Sequence, residues 1–362
     1  MKRVLNFYPG PSALPIEVLE EARDELLDWN NTGMSVTEIS HRSKEYEQIH
    51  NETQELFKEL FLIPDNYKVL LLQGGASLQF AMVPLNLIHK GETASYVITG
   101  RFAKNAFKSA GKIARVYIGT STEENGTFYR IPSKNEIKIE KHSAYCHITS
   151  NNTIYGTQWK EFPSFEGIPL VVDMSSDIFS RKIDFTPIGL IYAGAQKNLG
   201  PAGLTLIIIR NDLIERSKDD LPDILSYKTH ASKNSLFNTP PCFAIYIMNK
   251  VLKWAKRKGG LDFIEKQNNE KAKLVYGMID SYPEFFITKV EKKSRSNMNV
   301  VFRLPSEDLE KKMLEEAQKE GIIGLKGHRS VGGIRISMYN ANGIKEIKTL
   351  INFLEHFYRK ST

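Results

Sequence analysis

Apolar residues recur along this chain in two rhythms. Near the N-terminus the rhythm is helical. "PIEVLEEARDELLDW" (15–29) predicts an amphipathic helix with Pro15 at its first position, where a missing N–H does no harm. "SKEYEQIHNETQELFKELF" (43–61) carries Tyr46, Ile49, Leu56, Phe57 and Leu60 at helical spacing, with Ser43 placed to cap it. From residue 67 the rhythm changes to short, continuously apolar runs: "YKVLLL", "ASYVIT", "ARVYIG", "AYCHIT", "PLVVDM", "GLIYAG" and "LTLIIIR". Such runs read as strands buried on both faces. Between the first three, "SLQFAMVPLNLI" and "RFAKNAFKSAG" read as helices. This alternation predicts an α/β fold with a mostly parallel sheet covered on both sides. The loop between the last two runs has a length that permits a hairpin, so one antiparallel strand in a mixed sheet is expected.

From about residue 240 the texture changes again. "PCFAIYIMNKVLKWAKRKGG" and "LDFIEKQNNEKAKLVYGMID" read as two long helices parted at Gly259-Gly260. "NMNVVFRL", a helix capped by Ser306, "GLKGHRSVGGIRISMY" and a last helix "GIKEIKTLINFLEHFYRK" form a smaller α/β unit. A chain of 362 residues exceeds one compact core. We expect a large domain over 16–264 and a small domain made of 1–15 and 265–362.

Charge narrows the function classes. The 49 basic residues outnumber the 42 acidic ones, for a net charge of +7. The two signs are interleaved, as in "EKQNNEKAKL" and "SEDLEKKMLEEAQKEG", which reads as solvated helix faces. With no zinc-finger spacing and no RNA-recognition signature, no nucleic-acid partner is expected. A modest positive surplus suits an enzyme that draws in small anions. No apolar run approaches a bilayer span, so no membrane partner is expected. Pro9, Pro11 and Pro15 interrupt the first residues, and no signal peptide is read there. Cys146 and Cys242 lack metal-like spacing and read as free thiols of a reducing cytoplasm.

Three stretches carry candidate chemistry. "LLLQGGASLQF" is a strand, a glycine turn and a helix start, where free backbone amides suit an anion; the same turn also serves merely to reverse the chain. "PLVVDMSSDIFSR" ends a buried strand in Asp173, a carboxylate that either caps the next segment or meets a cation. Lys197 stands in the cramped turn of "IYAGAQKNLGPAGLTLIIIR". It either pairs with Asp173, swings to solvent, or gives up its proton. A free lysine titrates near roughly 10.4, so a nucleophilic amine at neutral pH needs a tight apolar site. An amine, a carboxylate and a phosphate-type turn, all at strand ends, are what pyridoxal phosphate requires.

"AGAQKNLGPAGLT", "FNTPP" (237–241), "EISHRSKEY" (38–46) and "GHRSVGGIRISMYNA" (327–341) together resemble the phosphoserine aminotransferases of the class-V group. The resemblance runs from "NFYPGPSALP" to the last helix. It implies a fold-type I transferase with a mostly parallel, mixed sheet of the seven-stranded type and a smaller C-terminal α/β domain. It also implies pyridoxal 5'-phosphate as cofactor, a cytoplasmic homodimer with shared active sites, and no metal. By that resemblance Lys197 matches the lysine that binds the cofactor covalently, and Asp173 the partner of its pyridine nitrogen. Thr153 matches the residue that bonds the ring hydroxyl, and Phe102 the aromatic stacked on the ring, a place usually held by tryptophan. Ala76, Ser77 and Gln196 match cofactor-phosphate contacts, and Asn238 and Thr239 those that reach the phosphate from the neighbouring subunit. His41, Arg42, His328, Arg329 and Arg335 match the substrate's anion-binding set, with Arg335 on the α-carboxylate. Two-pronged guanidinium groups suit a substrate bearing a carboxylate and a phosphate.

The implied reaction moves the amino group of L-glutamate to 3-phosphohydroxypyruvate in serine biosynthesis, with a phosphorylated hydroxythreonine of vitamin B6 synthesis as a further substrate. An aminotransferase of the alanine–glyoxylate type is the alternative. Two departures bear on the pocket: Ser77 stands where some members have arginine, and Pro9 where a small residue is common.

Overall fold

The computed structural model describes residues 3–362, so Met1 and Lys2 of the expected small domain lie outside the described residues. Seven strands form the central sheet: β1 (Tyr67–Leu72), β2 (Thr93–Ile98), β3 (Val116–Ser121), β4 (Ser143–Thr149), β5 (Leu170–Asp173), β6 (Ile188–Gly194) and β7 (Thr205–Arg210). Their spatial order is β1-β7-β6-β5-β4-β2-β3. Pairing is parallel from β6 through to β3, whereas β7 runs antiparallel to both β6 and β1. The hairpin turn carrying Lys197 therefore joins β6 to the single antiparallel strand of this sheet.

Every strand except edge strand β3 offers alternate residues to two apolar layers. Ile148, Val172, Ile191 and Leu206 face one layer, which takes in residues of helices Lys44–Phe61 and Cys242–Lys258. Tyr145, Val171, Tyr192 and Ile207 face the other, against helices Gly75–Leu87 and Arg101–Ala110. Burial on both sides explains why the inner runs read as unbroken apolar segments, whereas the run "ARVYIG", expected to be buried on both faces, forms edge strand β3 and leaves Ile118 53% exposed. Ser43 caps its helix as expected, its hydroxyl accepting from the Tyr46 amide.

A third apolar cluster joins Phe7 to residues of helices Gly260–Ser281, Glu307–Lys319 and Ile344–Ser361 and of the hairpin-like pair Asn299–Phe302 and Ile334–Ser337. The N-terminal strand Leu5–Asn6 pairs in parallel with Ile322–Ile323. Helix Gly260–Ser281 contributes Leu261 and Ile264 to the first cluster and Ala272, Val275 and Ile279 to the third. No helix of the described residues is long and apolar enough to cross a membrane.

Two expectations are corrected. The first helix spans only Ile16–Asp24, with Pro15 as its cap rather than its first residue. Beyond it, Asn30 and Asn31 adopt left-handed backbone and Asp28 accepts from the Gly33 amide, a turn that buries Trp29 while Leu27 stays 84% exposed. Asparagine tolerates this conformation, so the turn prevails over the apolar spacing. Secondly, "EKQNNEKAKL" is not a wholly solvated face. Asn268 and Lys271 are buried. Lys271 donates to the carbonyls of Met338, Tyr339 and Asn342 at 2.8–2.9 Å. Asn268 donates to Ser180 O and Asn340 Oδ1.

Candidate active site

The carboxyl ends of the parallel strands share one rim, where ligands gather in open α/β sheets. β5 ends in Asp173, and β6, its neighbour in register, leads into Lys197. β4 leads into the short hairpin that presents Thr153. β2 leads through Gly100 into the helix starting Arg101-Phe102. β1 leads through Gly74, at φ 87°, into the helix whose first turn holds Ala76 and Ser77. That turn has no capping side chain, so its amides are free to meet an anion.

The Lys197 amine settles the question raised by its position. It makes no ion pair with Asp173; its Nζ donates to Thr153 Oγ1 at 2.8 Å and lies 5.6 Å from the centre of the Phe102 ring. Burial pushes its pKa down to about 8, against the raising influence of Asp173, with Arg335 adding to the depression. At pH 7 about a tenth of this amine is thus unprotonated, far more than of an ordinary lysine. The N-terminal segment holds the lysine from behind. Gly10 packs against its side chain, and Ser12 donates to the carbonyls of Gln196 and Lys197 through its amide and hydroxyl respectively.

Asp173 is buried, and burial raises its carboxyl above the ordinary value, opposed by hydrogen bonds from Ser175 and by the charge of Lys197. Its Oδ1 accepts from the Ser175 amide at 3.0 Å and hydroxyl at 2.7 Å. Ser175 in turn accepts from the Gly194 amide at 3.2 Å, which ties the ends of β5 and β6 together. A buried carboxylate poised this way suits a cationic nitrogen. Gln196 folds its amide back over Gly194, where a side chain on that glycine would collide with it.

Arg335 lies on strand Ile334–Ser337 and is only 6% exposed. Its Nε is buried without a hydrogen-bond partner, and burial lowers its pKa. An unpaired buried guanidinium is costly and calls for an anion. The neighbouring loop carries His328, whose Nδ1 accepts from Ser330, and the exposed Arg329. Burial lowers the His328 pKa, and then the charges of Arg335, Arg101 and Arg329.

The remaining expected residues make no hydrogen bond or ion pair to the lysine among the described residues. Asn238 donates to Gln73 Oε1, and Gln73 donates to Thr239 O, so both sit beside the Gly74 turn of their own chain. His41 and Arg42 precede the Ser43 cap, and none of the hydrogen bonds or ion pairs among the described residues links them to Lys197 or Arg335. Sequence reasoning missed Gly10, Ser12 and Ser175. Only Ser175 left a signal: a serine two places after a strand-terminal aspartate favours a turn in which it bonds back to the carboxylate.

These residues fit pyridoxal phosphate. A buried amine of depressed pKa, a buried carboxylate, an aromatic face and an uncapped helix start converge on one rim. The comparisons agree. The family described as aminotransferase class-V matches residues 4–350. A phosphoserine aminotransferase of Halalkalibacterium halodurans is 52% identical over 99% of both chains, and that of Geobacillus kaustophilus is likewise 52% identical over 99% of both. Among solved structures, the phosphoserine aminotransferase from Bacillus circulans subsp. alkalophilus superposes with a TM-score of 0.97 at 48% identity, covering 100% of each chain. The pyridoxal-phosphate-bound enzyme from Trichomonas vaginalis gives 0.91 at 37% identity, covering 98% of this chain and 100% of that one. An alanine–glyoxylate aminotransferase of Nostoc gives 0.78 at 17% identity over 99% of this chain and 96% of that one, which is a likeness of fold alone. The chain belongs to the class-V aminotransferases, pyridoxal-phosphate enzymes, and within them to the phosphoserine aminotransferase family.

Proposed function

We propose that this protein transfers the amino group of L-glutamate to 3-phosphohydroxypyruvate, yielding O-phospho-L-serine and 2-oxoglutarate. The observation that carries the reading is the Lys197 amine, held between Thr153 and Phe102 with Asp173 and Arg335 both near enough to shift its pKa. When bound, pyridoxal phosphate supplies an aldehyde for the incoming amine and a protonated pyridine ring that draws electrons from the bonds at the substrate α-carbon. Lys197 Nζ would hold the cofactor at rest and, once displaced, would carry the proton from the substrate α-carbon to the cofactor carbon that bore the aldehyde. Asp173 keeps the ring nitrogen protonated, and Ser175 fixes that carboxylate. Thr153 and Phe102 orient the ring; the amides at Ala76 and Ser77, with Gln196, hold the phosphate. Asn238 and Thr239 complete that phosphate site across a homodimer. Arg335 takes the α-carboxylate, and His41, Arg42, His328 and Arg329 take the distal phosphate or the γ-carboxylate of glutamate.

The same reading places the enzyme in serine biosynthesis in the cytoplasm, consistent with its two free cysteines. It extends to a phosphorylated hydroxythreonine, which presents the same two anions. The test is Lys197→Ala: the variant should lose transamination, and borohydride should no longer fix the cofactor to the chain. Transamination that continues at the original rate without added amine would overturn the reading. The alanine–glyoxylate alternative needs no distal cations, so equal efficiency on phosphohydroxypyruvate and hydroxypyruvate would favour it instead.

A further inference from the structure

We infer that Asn299 is a positioning residue for this reaction: its side-chain amide, joined to that of Asn151, sets where Arg335 holds a substrate carboxylate relative to Thr153 and the Lys197 amine. The inference rests on the roles proposed above for Arg335 and Lys197.

Asn299 opens strand Asn299–Phe302 and pairs with Ser337, while Val301 pairs with Arg335. Ser337 and Arg335 are two residues apart on one strand and so share a face. Asn299 Nδ2 donates to Ser337 Oγ at 3.0 Å and to the Tyr339 hydroxyl at 3.3 Å. Its Oδ1 accepts from Asn151 Nδ2 at 2.7 Å. Asn151 stands two residues before Thr153, in the hairpin that presents it. Asn151 Nδ2 also donates to Ser176 Oγ at 2.8 Å, and its Oδ1 accepts from Ser296 Oγ at 2.5 Å. Ser176 follows the serine that fixes the Asp173 carboxylate, and its hydroxyl donates back to Asn151 O. Tyr339 donates to Pro9 O, next to the glycine that packs on Lys197. Every end of this network therefore lies a few residues from a group with a proposed part in the reaction.

The hairpin and the strand approach closely. The Ser296 amide donates to Gly156 O at 2.8 Å, and a side chain on Gly156 would collide with Val301. Asn151, Ser176, Ser296, Asn299, Ser337 and Tyr339 are all buried. Each of the two carboxamides places both N–H groups and its oxygen on partners inside the protein. Apolar side chains of similar shape would hold such an interior about as well, because a buried hydrogen bond replaces one made to water. What a saturated polar network adds is direction: it admits one placement of strand against hairpin. That placement matters where a carboxylate clamp and a reactive amine sit on separate elements. A shift of about 1 Å between reacting groups can cost roughly a hundredfold in rate.

The experiment uses the holoenzyme and follows cofactor absorbance in a single turnover with saturating L-glutamate or O-phospho-L-serine. The rate constant then reports only folded, loaded molecules, and the amplitude reports how many there are. In Asn299→Leu the rate constant should fall at least about tenfold. Calorimetric binding of 2-oxoglutarate to the resting enzyme, which has no amino group to give it, should stay within about threefold, because Arg335 itself is kept. Ser337→Ala removes one acceptor of the Asn299 amide at less risk to folding. It should lower the same rate constant by a smaller factor, and adding it to Asn299→Leu should lower it no further. Rate constants unchanged in the variants that fold, with only amplitude or urea midpoint reduced, would overturn the inference and leave the network a role in folding alone. Losses that multiply in the double variant would overturn it as well. If the unmodified enzyme gives no absorbance change with either substrate, the proposed reaction falls, and this inference with it.

Discussion

Lys271 offers the sharpest test of the packing behind the site. Its ammonium is fully buried and donates to three carbonyls of the turn that follows the Arg335 strand. That turn matters to the site: Asn340 accepts from Asn268 and takes Asn198 Oδ1 on its own amide, next to Lys197, and Tyr339 donates to Pro9 O. Burial pushes the Lys271 pKa from 10.5 down to about 7, with Glu346 opposing. The perturbation is Lys271→Met. At pH 7 two effects oppose each other. Three buried carbonyls lose a donor, at about 1–3 kcal/mol each. Against that, the variant escapes the cost of burying a group that prefers to be charged, about 4 kcal/mol at pH 7 from the 10.5-to-7 shift. The first sums to about 3–9 kcal/mol, a range that spans the second, so absolute stability decides little.

The pH slope decides more. Between pH 7 and about 10 the unfolded chain holds a proton on this amine that the folded chain has released, so stability rises with pH. The cost at pH 9 falls to about 2 kcal/mol, and the protein should therefore gain about 2 kcal/mol between pH 7 and 9 that Lys271→Met does not. The assay is urea unfolding followed by tryptophan fluorescence at several pH values for both proteins. Identical slopes would refute the reasoning. They would mean that three carbonyls, matching the three N–H groups of an ammonium, offset its burial and keep the pKa near its ordinary value.

Other perturbations test the site more directly. Asp173→Asn keeps the shape but removes the charge opposite the ring nitrogen, and kcat in either half-reaction should fall at least about a hundredfold; a loss confined to KM would show that Asp173 only binds. Cys146 is buried and its thiol is pushed up to about 12 by burial, whereas Cys242 is only partly buried. An aromatic disulfide reagent at pH 8 should therefore label Cys242 in the native protein and reach Cys146 only on unfolding; equal rates for the two thiols would contradict the core packing.

The inner strands of the sheet were legible in the sequence because a segment buried on both faces must be largely apolar; edge strand β3, with Ile118 53% exposed, is not buried in this way. The reversal at Lys197 was legible as well, since its loop is short enough for a hairpin, and the structure pairs β6 with β7 antiparallel. The Ser43 cap could be read because a cap is local chemistry. Asp173 and Lys197 could be brought together on paper, both standing at the ends of neighbouring strands.

What lay beyond the sequence was everything set by residues far apart in the chain. "EKQNNEKAKL" has the composition of a solvated face, yet Lys271 is buried because carbonyls of a distant turn replace its water. The helix from Ile16 stops at Asp24 because burying Trp29 requires the left-handed turn at Asn30 and Asn31. That Arg335 is buried with its Nε unpartnered has no trace in local pattern, since a guanidinium reads the same whether it faces water or a pocket. Sequence determined which segments had to be buried; tertiary structure decided which charges were left without partners, because desolvation and pairing depend on neighbours that only folding supplies.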